Sequence, residues 1–162
     1  MEKVVLVRMA DMAVGQDSNI LRTIGLGSCV GVILFSQHTT VAGMAHVMLP
    51  STEMPVPPDM TAKYASTAIP ALIEMLKQNH VSPSELRAKL VGGAQMFRTM
   101  GTRPDALNIG QRNVEMCREM LQRYRIPIVA EDVGGNYGRT VEHYCETGKT
   151  FVKTVFKGES WL

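Results

Sequence analysis

Two apolar runs, Cys29–Phe35 and Val41–Leu49, stand only five residues apart across the link Ser36–Thr40. No other feature constrains the fold of this chain as tightly. Strand-length runs joined by so short a polar link read as an antiparallel hairpin. Neither run alternates with polar residues, so both faces of the hairpin need cover and it belongs in the middle of a sheet. Pro50 closes the second run. Thr23–Ser28, just before the first, reads as a turn, with Gly25 and Gly27 admitting backbone angles closed to other residues.

The hairpin carries one thiol, Cys29, and one imidazole, His46. That is the minimum for nucleophilic cysteine chemistry, if the two can meet. Direct opposition places the turn between Gln37 and His38, inside the polar link, with Cβ atoms about 4.5–5.5 Å apart. A shift by one residue sends the side chains to opposite faces. The link has no Asn-Gly or Asp-Gly pair to fix the register, so both arrangements stay open. In the facing register the imidazole lowers the thiol from its usual pKa of about 8.5 and populates thiolate. The thiolate attacks a carbonyl and the imidazolium protonates the leaving group. Amides of the turn at Gly25, Gly27 and Ser28 are candidates to hold the oxyanion, and Thr23 is the candidate to orient His46. The plainer alternative is a small buried thiol and a hydrogen-bonded structural histidine.

The rest of the chain supplies elements to cover the hairpin. Glu2–Met9 reads as a strand, followed by a polar loop at Gly15–Asn19. Ser51–Asp59, with three prolines, is a loop that follows His46 closely. From Met60 to His80 the apolar residues Ala65, Ile69, Leu72, Ile73 and Leu76 trace one helical face. Pro70 either kinks this helix or sits in its first turn, with the regular part starting near Thr67. Ser82-Pro83-Ser84-Glu85 has capping-box spacing. Ala88–Val91 is a strand running into Gly92-Gly93. After a loop around Gly101–Pro104, Asn108 can cap a helix whose face is Ile109, Asn113, Cys117, Met120, Leu121 and Tyr124. Ile126–Glu131 is a strand, Asp132–Asn136 a turn, and Arg139–Glu146 with Thr150–Phe156 a second hairpin. Strands and helices mix without regular βαβ alternation, so the expected class is α/β of the α+β type, a mixed β-sheet sandwich flanked by helices.

Bulk properties narrow the function. The 162 residues are read as one domain, 1–162. A formal net charge of +2 with scattered basic residues argues against nucleic acid. The run Val4–Val7 is too short and too charged at its flanks for a signal-peptide core, and no apolar stretch approaches the roughly 20 residues of a membrane span. Three cysteines, without metal-ligand spacing, suit reduced thiols in a cytoplasmic protein. Cys117 reads as core, Cys145 as incidental, and the 12 methionines mostly as core filler.

The order of motifs adds a resemblance. Thr23-Ile24-Gly25-Leu26-Gly27-Ser28-Cys29-Val30 and Gly43-Met44-Ala45-His46-Val47-Met48-Leu49-Pro50 closely resemble the signature of the CheD family of chemoreceptor glutamine deamidases. Lys63-Tyr64-Ala65, Lys89–Phe97, Ile109–Asn113 and Glu131–Arg139 continue the match in family order over nearly the whole chain. Ser66 departs from it, standing where an Asp is expected. The resemblance implies a fold similar to the catalytic domain of cytotoxic necrotizing factor toxins. It implies hydrolysis of glutamine side-chain amides to glutamate on chemoreceptor cytoplasmic helices, through a thioester on Cys29. His46 would be the general base and acid, and Thr23 the orienting residue. No metal or organic cofactor is implied. A CheC-type phosphatase is the implied partner, and a regulatory module acting mainly through that partner is the competing function. Gly92-Gly93 and Gly134-Gly135 are expected to be turns that need positive φ or close packing. Arg112, Asn113 and Arg139 either brace loops around the site or pair on the surface.

Overall fold

The computed structural model describes residues 2–96 and 108–162. The loop expected around Gly101–Pro104, and Phe97 of the family-like block, lie outside the described residues. Among the described residues ten strands form two five-stranded sheets. The first sheet has the order β1-β3-β8-β9-β10, from β1 (Lys3–Leu6), β3 (Asn19–Leu26), β8 (Arg139–Tyr144), β9 (Lys149–Thr154) and β10 (Gly158–Trp161). The second has the order β2-β5-β4-β6-β7, from β2 (Met12–Gly15), β5 (Ala42–Val47), β4 (Val30–Ser36), β6 (Leu86–Gly92) and β7 (Ile128–Val133). Each sheet is antiparallel apart from one parallel pair, β1 with β3 and β6 with β7. The mixed-sheet sandwich is therefore as expected, and its described helices pack against the second sheet.

The sequence pattern explains the layers. Side chains alternate across a strand, and on β4 the residues Val30, Val32 and Leu34 face helix α1 (Ala65–Gln78) and helix α2 (Ile109–Arg123). Cys29, Ile33 and Phe35 take the other side and meet Leu21, Val141 and Val152 of the first sheet. Every residue of β4 and β5 is buried, which is why neither run alternates. Among the described residues no helix lies over the outer face of the first sheet, which leaves Leu6, Ile24 and Trp161 exposed.

Several local expectations change. Thr23 is not in a turn. β3 runs through it to Leu26, because β1 and β8 pair with it from both sides, and a bulge between Thr23 and Leu26 accommodates Gly25 at φ 76°. The true turn is Gly27–Cys29, where the chain crosses from one sheet to the other. β2 and β10 lie where no strand was expected, each four residues long and too short for its pattern to register. α1 begins at Ala65 and continues through Pro70, so that proline stands in its second turn. Asn108 occupies the cap position of α2, but its side chain makes no capping bond. Tyr124 lies beyond the helix and is exposed. Asp132 and Val133 belong to β7 rather than to a turn. The capping box is present: the Glu85 carboxylate accepts from the Ser82 amide at 2.8 Å.

Candidate active site

The hairpin pairs Val30 with Val47 and Gly31 with His46, so its turn is centred between His38 and Thr39. Direct opposition of Cys29 and His46 is thus incorrect by two residues. A shift of two preserves the face, however. Cys29, Gly31 and His46 all lie on the face between the sheets, and Gly31, the direct partner of His46, stands where a side chain would crowd the first sheet. A Cβ there would sit 3.2 Å from Leu26 Cδ1 and 3.7 Å from Thr23 Cγ2. The strand under His46 pairs with β4 on one edge and, on the other, His46 is held by the segment leading into β2. The His46 amide donates to Asp11 O at 2.9 Å, and its carbonyl accepts from Ala10 N at 3.0 Å.

Thr23 reaches the imidazole from the opposite sheet. Its Oγ1 lies 2.7 Å from His46 Nδ1 and donates to the Val7 carbonyl at 2.6 Å. A hydroxyl has one proton to give. With that proton spent on Val7, the Nδ1 contact requires His46 to donate, which assigns the tautomer: Nδ1 carries the hydrogen and Nε2 presents a lone pair. Nε2 is buried and has no hydrogen-bond partner among the described residues. No sequence pattern marks Val7. Its carbonyl matters only because β1 lies parallel to β3, with Val7 N donating to Arg22 O at 2.7 Å.

Burial sets the charge state of the pair. It lowers the His46 pKa to about 4 and raises that of the Cys29 thiol, the latter opposed in part by the thiol's own backbone amide. The expected thiolate–imidazolium pair is therefore not the resting state. At neutral pH the site holds a neutral thiol and a neutral imidazole on one face, an arrangement in which proton transfer accompanies attack rather than preceding it.

The Gly27–Cys29 turn is secured entirely by its carbonyls. Gly27 O accepts from Ala94 N and Cys29 O from Gly93 N, both at 2.8 Å. Ser28 O accepts from Asn113 Nδ2, also at 2.8 Å. The amides of Gly27, Ser28 and Cys29 donate to no other residue among those described. A planar trans peptide points its C=O and the next residue's N–H in opposite directions, so pinning the Gly27 and Ser28 carbonyls behind the turn sets the Ser28 and Cys29 amides in a row in front. Of the oxyanion candidates, Ser28 lies in this row, its amide sharing a plane with the pinned Gly27 carbonyl; the Gly27 amide belongs to the plane of Leu26 O, and Gly25 lies in the β3 bulge.

The family-like blocks outside the hairpin close around this turn. Gly92 has φ 112°, and a Cβ on it would run into Cys29 O. Arg139 is buried against Asp132 Oδ1 at 3.1 Å and Gly134 O at 2.8 Å, which fastens the loop after β7 behind Gly92. Asn113 and Arg139 are thus braces, whereas Arg112 is exposed. Asn113 carried a sequence signal of its own, a lone amide on an otherwise apolar helix face. Cys117 and Cys145 are buried, and Cys117 lies in the helix-facing core. Among the described residues no group of three or more His, Cys, Asp or Glu could hold a metal ion, and no helix is long and apolar enough to cross a membrane.

Comparison with known proteins identifies the set of relatives. The family model described as CheD chemotactic sensory transduction matches residues 48–154. The probable chemoreceptor glutamine deamidase CheD of Caldanaerobacter subterraneus subsp. tengcongensis is 46% identical over 160 residues, 99% of this chain and 98% of that protein. The chemoreceptor glutamine deamidase CheD of Halalkalibacterium halodurans is 46% identical over 160 residues, 98% of each chain. Among solved structures, Neisseria meningitidis protein NMB0706, of the family DUF152, superposes with a TM-score of 0.53 at 13% identity. The superposition covers 83% of this chain and 64% of that one. At that identity the likeness is one of fold alone.

Proposed function

The chain belongs to the CheD family, and from that premise we propose that it is a protein-glutamine deamidase that hydrolyses glutamine side-chain amides on chemoreceptor cytoplasmic helices. The observation that carries this reading is the 2.7 Å contact of Thr23 Oγ1 with His46 Nδ1, made on the face that also bears Cys29. It leaves Nε2 as a base directed into the same layer as the thiol.

In the proposed reaction the glutamine side chain enters with its carbonyl oxygen against the free amides of the turn. Cys29 Sγ bonds to the amide carbon while its proton passes to His46 Nε2. The negative charge that develops on oxygen is held by the Ser28 and Cys29 N–H groups. The C–N bond then breaks, Nε2 returns the proton to nitrogen, and ammonia leaves a thioester on Cys29. Water attacks the thioester carbon, losing a proton to Nε2. The C–S bond breaks, glutamate is released, and the thiol recovers its proton. Thr23 orients the imidazole and stabilises its cationic form, the role an Asn or Asp plays in other cysteine hydrolases. The cycle balances without a metal or organic cofactor.

The same proposal includes the finer expectations of the resemblance. The fold is similar to the catalytic domain of cytotoxic necrotizing factor toxins, the protein works in the cytoplasm where the receptor helices lie, and a CheC-type phosphatase binds it. Mass spectrometry of a receptor cytoplasmic domain incubated with the protein tests the activity. One glutamine per site is expected to become glutamate with release of ammonia, and Cys29→Ala and His46→Ala are expected to abolish both while remaining folded. Undiminished turnover by Cys29→Ala refutes the assignment. Retention of phosphatase binding by the same variant separates a regulatory contact from the chemistry.

A further inference from the structure

Asn113 is fully buried on the apolar face of α2 beside Val114 and Cys117. A buried amide is costly unless its polar atoms are paired, and here the pairing is selective. Nδ2 uses both hydrogens, one on Ser28 O at 2.8 Å and one on Met48 O at 2.9 Å. Oδ1 has no partner among the described residues. An arrangement that leaves a buried acceptor unmet is a poor choice for stability alone.

The two carbonyls explain the choice. The β4–β5 ladder ends at the pair Val30–Val47. Continued by one step, it would set Cys29 opposite Met48, but the chain departs there into the Gly27–Cys29 turn. Asn113 makes the missing cross-link, tying Ser28, one residue before the nucleophile, to Met48, two residues after His46. Moreover, Ser28 O and Cys29 N belong to one peptide plane. Fixing that oxygen behind the turn fixes the Cys29 N–H in front of it.

We propose that Asn113 is a positioning residue that aims the Cys29 amide at the developing oxyanion, by holding the Ser28–Cys29 peptide through its carbonyl and keeping it in register with the His46 strand. This rests on the reading of Cys29 as the nucleophile of acyl transfer. Neighbouring planes are set by backbone groups, Ala94 N and Gly93 N. The plane that carries the nucleophile's own amide is the one set by a side chain.

The test compares two reactions of Cys29 in the full-length protein. Acylation by p-nitrophenyl acetate passes through a tetrahedral oxyanion, whereas alkylation by iodoacetamide does not. In Asn113→Ala the acylation rate is expected to fall about 10- to 100-fold, less than or near the loss from deleting an oxyanion donor outright. Alkylation is expected to stay within about threefold, since it needs no such donor. Asn113→Asp, which preserves shape, supplies the measurement if the alanine variant does not fold. Its buried carboxyl, held protonated by burial, donates one hydrogen, so acylation is partly restored and fades as pH rises. Wild-type acylation by either folded variant overturns the proposal, as does an equal loss in both reactions, which would mark general distortion of the thiol. If the wild type acylates and the split holds while receptor deamidation is absent, the substrate assignment fails and the role of Asn113 stands.

Discussion

The core between the sheets contains two histidine–threonine pairs that look alike and work differently. In one, His46 Nδ1 lies 2.7 Å from Thr23 Oγ1; in the other, His143 Nδ1 lies 2.8 Å from Thr150 Oγ1. Both imidazoles are buried, both have an Nε2 without a partner among the described residues, and burial depresses both, to about 4 and about 3. What differs is the third group. Thr23 gives its proton to Val7 O, so His46 must donate at Nδ1 and is left with a basic Nε2. Thr150 instead accepts from Lys89 Nζ at 3.0 Å, and its own proton has no acceptor among the described residues other than His143 Nδ1; with that bond made, the ring's single hydrogen sits on Nε2. The Lys89 ammonium is saturated by Thr150, Gly148 O at 2.7 Å and Leu162 O at 3.0 Å. One neighbouring group, a carbonyl or an ammonium, decides whether a buried imidazole is available as a base.

The sharpest way to break this comparison is to remove the hydroxyl from each pair. Thr23→Val is expected to lower turnover about 100- to 10,000-fold, the range of a lost general base, with Thr23→Ser restoring most of it. Thr150→Val is expected to leave ammonia release within about twofold and to lower unfolding free energy by roughly 1–3 kcal/mol, as the Lys89 and His143 atoms lose their partner. Comparable activity losses in the two variants would erase the distinction.

Acid titration gives the next largest effect. Both histidines are depressed in the folded state, so the unfolded chain binds more protons below its usual value of about 6.5. Stability is then full above that pH and is lost as pH falls through about 4 and about 3. His46 alone accounts for on the order of 3 kcal/mol of this slope. Denaturant titrations of His143→Leu are expected to show a flatter acid limb with activity retained. For the wild type, turnover at pH 5 is expected to stay within about twofold of that at pH 7, whereas an ordinary imidazole would lose more than tenfold.

The smallest effect concerns Gly31, the strand partner of His46. Gly31→Ala places a methyl 3.2 Å from Leu26 Cδ1, where a flexible side-chain end can yield. A loss of about 1 kcal/mol or less in stability is expected, with a modest fall in kcat, measured on the same receptor substrate. A large fall would mean that the Thr23–His46 contact tolerates less displacement than its burial between two rigid sheets implies.

Much of the site was legible because its elements are local. Cys29 and His46 lie on one hairpin, so adjacency in sequence brings their strands side by side, and the register then sets them on one face. The hairpin's interior position followed from its unbroken apolar pattern, and Cys117 could be assigned to the core from helical spacing. The misassignments concern strands whose existence depends on partners far along the chain. β3 looked like a turn because glycines dominate its end, while its pairing with β1 and β8 is invisible locally. The exact register escaped because the link Ser36–Thr40 carries no turn signal, and a ladder extended by packing from β2 and β6 settled it.

By itself the sequence determined which groups are present and on which strands: a thiol and an imidazole on neighbouring runs, a glycine turn beside them, and a motif order shared with a family. Tertiary structure alone decided their protonation. Burial keeps the thiol and the imidazole neutral, the Val7 carbonyl directs the Thr23 proton away from His46, and Asn113 holds one peptide plane of the Gly27–Cys29 turn. The reason is physical. Residue types fix what can donate or accept, but the direction of each hydrogen bond depends on a third partner, and in this molecule those partners come from another sheet or helix.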